Sequence, residues 1–182
     1  MARDFSRFEM GIDRMAHQHP DMPRDTVMLI RVAYRTVLSL DARLEAHFER
    51  HGLNQSAWLA LMMIYASPEQ RVMPSELSDF LTQSRTHMTR VADDLLGKGL
   101  IHRHPSEDDR RRIDLTLTPA GLRLIDKLLP LTWAEYESAL GDLTPADRKK
   151  TTALLRRWLD HLEAEPAEAA PAAPASRKAR AS

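Results

Sequence analysis

A mainly α-helical fold carrying one β-hairpin is predicted by three observations. Apolar residues recur at three- and four-residue steps along most of the chain. The period switches to two only between Leu100 and Thr118. Immediately before that switch stand a helix, a short proline-led helix, a polar turn and a third helix.

The composition bounds what such a fold can do. The chain has 182 residues, 43% of them hydrophobic and 29% charged, which suits one domain with appendages. Lys+Arg and Asp+Glu both number 26, so a diffuse polycation is excluded and any affinity for nucleic acid must come from local patches. With no cysteine there is no disulfide, thiolate metal site or thiol-based redox sensor, and a reducing, cytoplasmic setting is expected. The first residues carry charge where a signal peptide needs an apolar stretch, and no run of 18 apolar residues occurs, so neither export nor membrane insertion is expected. Glycine-rich phosphate loops, G-x-S-x-G and H-E-x-x-H are all missing, which argues against the commonest enzyme classes. No cofactor is expected.

In order, residues 1–23 read as an amphipathic arm in which Phe5, Phe8, Ile12 and Met15 keep helical spacing before a proline-punctuated break. Residues 24–52 read as one long helix closed by Gly52. Val27, Ile30, Tyr34, Val37, Leu44 and Phe48 form its stripe, and Leu29, Val32 and Leu40 a second line. A helix apolar on more than one side suggests a stem shared between subunits. Residues 53–118 hold a helix buried on most sides (Asn54 to Ala66), a short helix from Pro74, and a third after the turn Thr82–Ser84, with Ser84 as N-cap and Val91, Leu95 and Leu96 facing inward. Strands Leu100–His104 and Ile113–Thr118 follow, with Ile113, Leu115 and Leu117 alternating against Asp114, Thr116 and Thr118. Residues 119–164 form two further stem helices. The first has Leu122, Ile125, Leu129, Trp133, Tyr136 and Leu140 as its stripe and a kink expected at Pro130. The second opens with a Thr144–Asp147 capping box. Residues 165–182, alanine- and proline-rich without a large apolar side chain, read as a disordered tail.

Helix, short helix, polar turn, helix and a basic-tipped hairpin make a winged helix-turn-helix with a two-stranded β wing and a helical dimerisation stem. Small hydrogen-bonding side chains and arginines at the start of the third helix suit base edges in a major groove: Ser84, Arg85, Thr86, His87, Thr89 and Arg90. Arg110, Arg111 and Arg112 at the hairpin tip suit the backbone and a neighbouring minor groove, and Asp109 beside them can orient an arginine through a charge-assisted hydrogen bond. From Arg85 to Arg112 there are seven Lys/Arg against five Asp/Glu, so specificity must rest on placement rather than field strength.

Leu53 with Trp58 and Leu61, Ser84 with Thr89-Arg90, the run Leu95 to Arg103, Asp109-Arg-Arg111 and Leu117-Thr-Pro-Ala-Gly121 together resemble the multiple-antibiotic-resistance regulator (MarR) family over about residues 25 to 162. The resemblance implies a homodimeric transcription factor, usually a repressor, that binds a palindromic operator and is released by a small aromatic or phenolic ligand. It also puts the wing aspartate and arginine at Asp109 and Arg111. The arm and the tail are departures that the family does not require.

For the effector, Arg31, Tyr34 and Arg35 on the stem with His51, Trp58 and Met62 form the candidate pocket. An arginine on a mostly apolar helix needs an anion, either a ligand carboxylate or an acid across the dimer. Apolar residues at these steps also serve as plain core. His47 with His51, His17 with His19 and His102 with His104 have spacings that suit a divalent metal, although none has a third ligand nearby in sequence. A zinc-responsive regulator of the same fold and a winged-helix protein-binding adaptor therefore remain as alternatives.

Overall fold

The computed structural model describes residues 5–106 and 112–164. Its elements are α1 (Ser6–Gln18), α2 (Arg24–Glu49), α3 (Gln55–Ala66), β1 (Arg71–Val72), α4 (Pro74–Phe80), α5 (Arg85–Gly97), β2 (Ile101–Pro105), β3 (Ile113–Leu117), α6 (Pro119–Leu140) and α7 (Pro145–Ala164). The described residues divide into two compact units between Ala139 and Leu140. No described helix is long and apolar enough to cross a membrane.

Local chemistry sets most helix starts. Asn54 Oδ1 accepts from the Ala57 amide at 2.7 Å, and Glu45 on α2 takes the Gln55 amide at 2.8 Å, so two of the orphan donors of α3 are satisfied. At α4, where Pro74 removes one orphan donor, the Met73 amide donates to Glu76 at 2.7 Å. Thr144 and Asp147 exchange backbone and side-chain bonds in a reciprocal capping box at α7.

In the first unit α3 lies at the centre. Ala57, Trp58, Ala60, Leu61 and Ile64 are buried on it, as its nearly continuous apolar run predicts. Around it gather Phe48 of α2, Leu77 of α4, Met88 and Leu95 of α5, Leu115 of β3, and Ile125 and Leu128 of α6. Thus α6 shares one core with the residues before it. The arm packs on α2 of its own chain: Ile12 is buried, and Arg24 Nη2 meets Asp13 at 2.6 Å, which raises the guanidinium pKa.

The structure corrects several expectations. The sheet has three strands in the order β1-β3-β2, because Arg71 and Val72 pair with Thr116 and Leu115. Two residues are too short to show a period. As the middle strand, β3 buries Asp114 and half-buries Thr116 where alternation put both outside. On α6 the inward face is Gly121, Ile125, Leu128 and Thr132; of the predicted stripe, Ile125 is buried, Leu122 and Leu129 are half-buried, and Trp133, Tyr136 and Leu140 are exposed in the single chain, Trp133 at 59%. Leu96, expected inside, is exposed, since it falls one residue past the buried Ala92–Leu95 turn. α6 stays helical on both sides of Pro130, the residue at which a kink is expected.

His47, 3% exposed, joins α2 to α6. Its Nε2 lies 3.4 Å from Thr132 Oγ1 and its Nδ1 3.8 Å from Glu135, whose other oxygen takes Arg43. Burial lowers the His47 pKa most, His51 and Arg50 lower it further, and Glu135 only partly offsets them. Glu135 is held below the carboxylate range chiefly by the Arg43 hydrogen bond.

Both the close packing at Gly121 and the buried histidine have measurable consequences. A Cβ on Gly121 would sit 2.2 Å from the Leu100 carbonyl oxygen, backbone that cannot rotate away, so Gly121→Ala should destabilise by roughly 2 kcal/mol or more in urea unfolding. Because the folded protein disfavours protonated His47, this residue's stabilisation is full above the ordinary histidine pKa of about 6.5 and is lost as pH falls below it. Urea midpoints should drop between about pH 7 and pH 5, and the drop should be smaller in His47→Gln.

Candidate nucleic-acid interface

The two faces of α5 are divided by helical spacing. Met88, Val91, Ala92 and Leu95 are buried, which fixes the roll of the helix and leaves Arg85, Thr86, Thr89 and Arg90 exposed along its first two turns. Ser84 is the N-cap, accepting from the His87 amide at 3.2 Å. The preceding turn is held by the Gln83 amide bonding the Ser78 carbonyl at 3.0 Å, with Thr82 in the left-handed region at φ 52. The Thr89 hydroxyl donates to the Arg85 carbonyl at 2.9 Å. His87 is only half-exposed: its Nε2 lies 3.2 Å from Ser56 Oγ on α3, so the ring braces the start of α5 against its neighbour. No sequence spacing signals this contact, since the partners are 31 residues apart.

The hairpin is anchored to the same helix. β2 and β3 pair antiparallel from Ile101↔Leu117 to Pro105↔Ile113, and the Ser106 amide donates to the Arg112 carbonyl at 2.9 Å beyond the last pair. Arg103 Nη1 on β2 reaches Asp93 on α5 at 3.0 Å, and Lys98 pairs with Asp94 within α5. These pairs, which sequence reasoning missed, neutralise the two acids of α5. Among the described residues neither Arg85 nor Arg90 pairs with a carboxylate, so both cations stand available on the exposed face. Of the wing-tip candidates, Arg112 is exposed, whereas Asp109, Arg110 and Arg111 lie outside the described residues.

The arrangement is that of a winged helix-turn-helix, and the MarR family profile matches residues 53–113, the stretch from the entry into α3 to the start of β3. Over these residues the match supports a MarR-family regulator. The Escherichia coli transcriptional repressor MprA is 28% identical over 163 residues, covering 90% of this chain and 93% of the repressor. A Streptomyces coelicolor MarR regulator, Sco3205, solved in complex with DNA, superposes with a TM-score of 0.71 at 20% identity, over 81% of this chain and 92% of that one. Bordetella bronchiseptica BpsR, whose DNA binding is regulated by 6-hydroxynicotinic acid, superposes with a TM-score of 0.64 at 21% identity, over 71% and 91%. The relatives that match are transcriptional regulators and not enzymes, and with the family match they support a DNA-binding transcriptional regulator.

The candidate effector residues do not converge within one chain. Arg31 and Tyr34 are exposed on α2, Tyr34 at 62%, and Arg35 is half-buried one turn along the same helix. Trp58 departs from the pocket expectation: it is 2% exposed and stacked on Phe48, ring centroids 5.3 Å apart, so it is spent on the core. Met62 packs against that core too. His51 lies at the end of α2 beside His47, ring centroids 5.4 Å apart, away from the arginines. Among the described residues no three His, Cys, Asp or Glu side chains gather into a metal-binding group. The nearest approach to one, His47 with Glu135, is already occupied by Arg43 and Arg50.

Proposed function

We propose that the chain is a MarR-family regulator that acts as a homodimeric repressor on an inverted-repeat operator and is released by a small aromatic or phenolic acid. The observation that carries the DNA half is the division of α5, whose core-facing side is fixed while Arg85, Thr86, Thr89 and Arg90 face solvent. With Ser84 and His87 at its start, this turn and a half enters the major groove, and Asp109, Arg110, Arg111 and Arg112 of the wing follow the backbone.

Dimerisation is supported by apolar surface that a lone chain leaves in water. Leu29, Ile30, Val37 and Leu38 are exposed on α2, Leu131, Trp133 and Tyr136 on α6, and Leu154, Leu155, Leu159 and Leu162 on α7. Exposed apolar faces of this kind mark interaction surfaces, and each of α2, α6 and α7 carries one. A twofold dimer presents two equivalent helices about 34 Å apart, one turn of duplex, which makes the operator an inverted repeat.

Release needs a ligand that binds two head spacings unequally, and a tenfold loss of operator affinity takes about 1.4 kcal/mol of such coupling. Arg31, Tyr34 and Arg35 present two cations and a phenol on neighbouring turns of α2, chemistry suited to an aromatic acid, and BpsR is a neighbour regulated by one.

Three measurements check this reading. Footprinting of the protein's own upstream DNA should show two protected half-sites in inverted orientation. Arg90→Ala and Arg111→Ala should each weaken binding and make the salt dependence shallower by about 0.9 in log–log slope for every phosphate no longer neutralised; unchanged slopes in both would remove the interface. Arg35→Ala should retain operator binding but lose relief by aromatic acids in a gel-shift titration, and undiminished relief would take it out of the effector site.

A further inference from the structure

We infer that Arg71 and Asp114 form a clamp at the root of the wing and act as positioning residues for its grip on DNA. The inference rests on the proposed role of the wing and adds what aims it. The β2–β3 hairpin is a two-stranded ribbon, and among the described residues its sheet pairing to the rest of the chain is confined to β1, where Arg71↔Thr116 and Val72↔Leu115 face each other. So short a ladder holds direction poorly. A charged tie stands at the same place.

Asp114 is 5% exposed, and a carboxylate so placed is tolerated when a cation and hydrogen-bond donors face it. Arg71 Nη1 lies 3.6 Å from its Oδ2, while Arg71 Nε donates to Glu69 on the α3–β1 connection. The guanidinium therefore bridges a wing strand and a loop that is itself fixed to α3, since Ser67 Oγ bonds both the Ile64 and Arg71 carbonyls. Arg71, Asp114 and Arg112 line one recess of about 190 Å³ where α4, β1 and the wing meet. Asp114 sits opposite His104 on β2, so both wing strands are held at this level.

Leverage makes the clamp matter. Four residues of strand span roughly 13 Å, so a tilt of about 10° at the root displaces that far end by ~2 Å. A hydrogen bond to phosphate tolerates only a few tenths of an ångström before it weakens. Removing the clamp should therefore loosen the wing's hold on phosphate without altering any residue that touches it.

The test uses full-length protein and a mixed-sequence duplex of about 30 base pairs, titrated by fluorescence anisotropy across ~50–200 mM salt, well below each variant's melting temperature. Asp114→Asn keeps the side chain's shape and Arg71→Met most of its length, while each removes the charge. Each should make the log–log slope shallower by about 0.9 for every phosphate the wing ceases to neutralise, and the double variant should be no shallower than either single one. Arg71→Lys, which keeps the charge, should recover part of the slope. Wild-type slopes in Asp114→Asn and Arg71→Met alongside a shallower slope in Arg111→Ala would overturn the clamp and leave the wing reading intact. A lowered melting temperature with a wild-type slope would likewise overturn it, by showing a role in folding alone. A wild-type slope in Arg111→Ala would overturn the wing and the clamp together.

Discussion

Burial of α3 is the constraint on which the rest of the first unit depends. Trp58 stacked on Phe48 ties α3 to α2, and Leu61 and Ile64, both fully buried, close the same core toward the other elements. Full burial of side chains this size stabilises by roughly 1.5–3 kcal/mol each, which no cap or surface ion pair here can match. The orientation of α5 is a consequence: with Met88, Val91 and Leu95 committed to that core, Arg85, Thr86, Thr89 and Arg90 have only solvent or a ligand to face. The interface is thus the remainder of a packing problem solved behind it.

Legibility in the sequence follows the range of the interaction. Caps and turns act over three or four residues, so Asn54, Ser84 and the Thr144–Asp147 pair can be read or anticipated from spacing alone. The winged order of elements is legible for the same reason, because each period is local. Ties across the chain are not: Ser56 to His87, Asp93 to Arg103 and Arg71 to Asp114 join residues whose separation carries no pattern. The α6 stripe is read only in part. Periodicity finds Ile125, which the core buries, together with Trp133 and Tyr136, which a single chain leaves exposed, but it does not show that Leu128 and Thr132 complete the inward face.

Net neutrality acquires a structural meaning near the interface. Asp93 and Asp94 are on α5, proposed to enter the major groove, where free carboxylates would repel phosphate, yet Arg103 and Lys98 occupy them. Those cations are therefore committed within the protein, and the useful positive charge of α5 reduces to Arg85 and Arg90. A protein organised this way gains little from long-range attraction and depends on a few correctly placed contacts, which puts a premium on whatever holds the wing and the helix in register.

Arg31, Tyr34 and Arg35 lie on the N-terminal half of α2, whereas His47 and Phe48 at its C-terminal end are fixed to α6 and α3. An anion gathered by the two arginines would act on the end of the helix where Leu29, Ile30 and Val37 remain uncovered in a single chain, and so on the surface proposed to meet the second subunit. The buried half, where His47 meets α6 and Phe48 stacks on α3, would carry any resulting displacement to those elements. An effector site built on α2 therefore needs no contact with α5 to change the spacing of two recognition helices; it needs only to favour one geometry of the paired stems over the other.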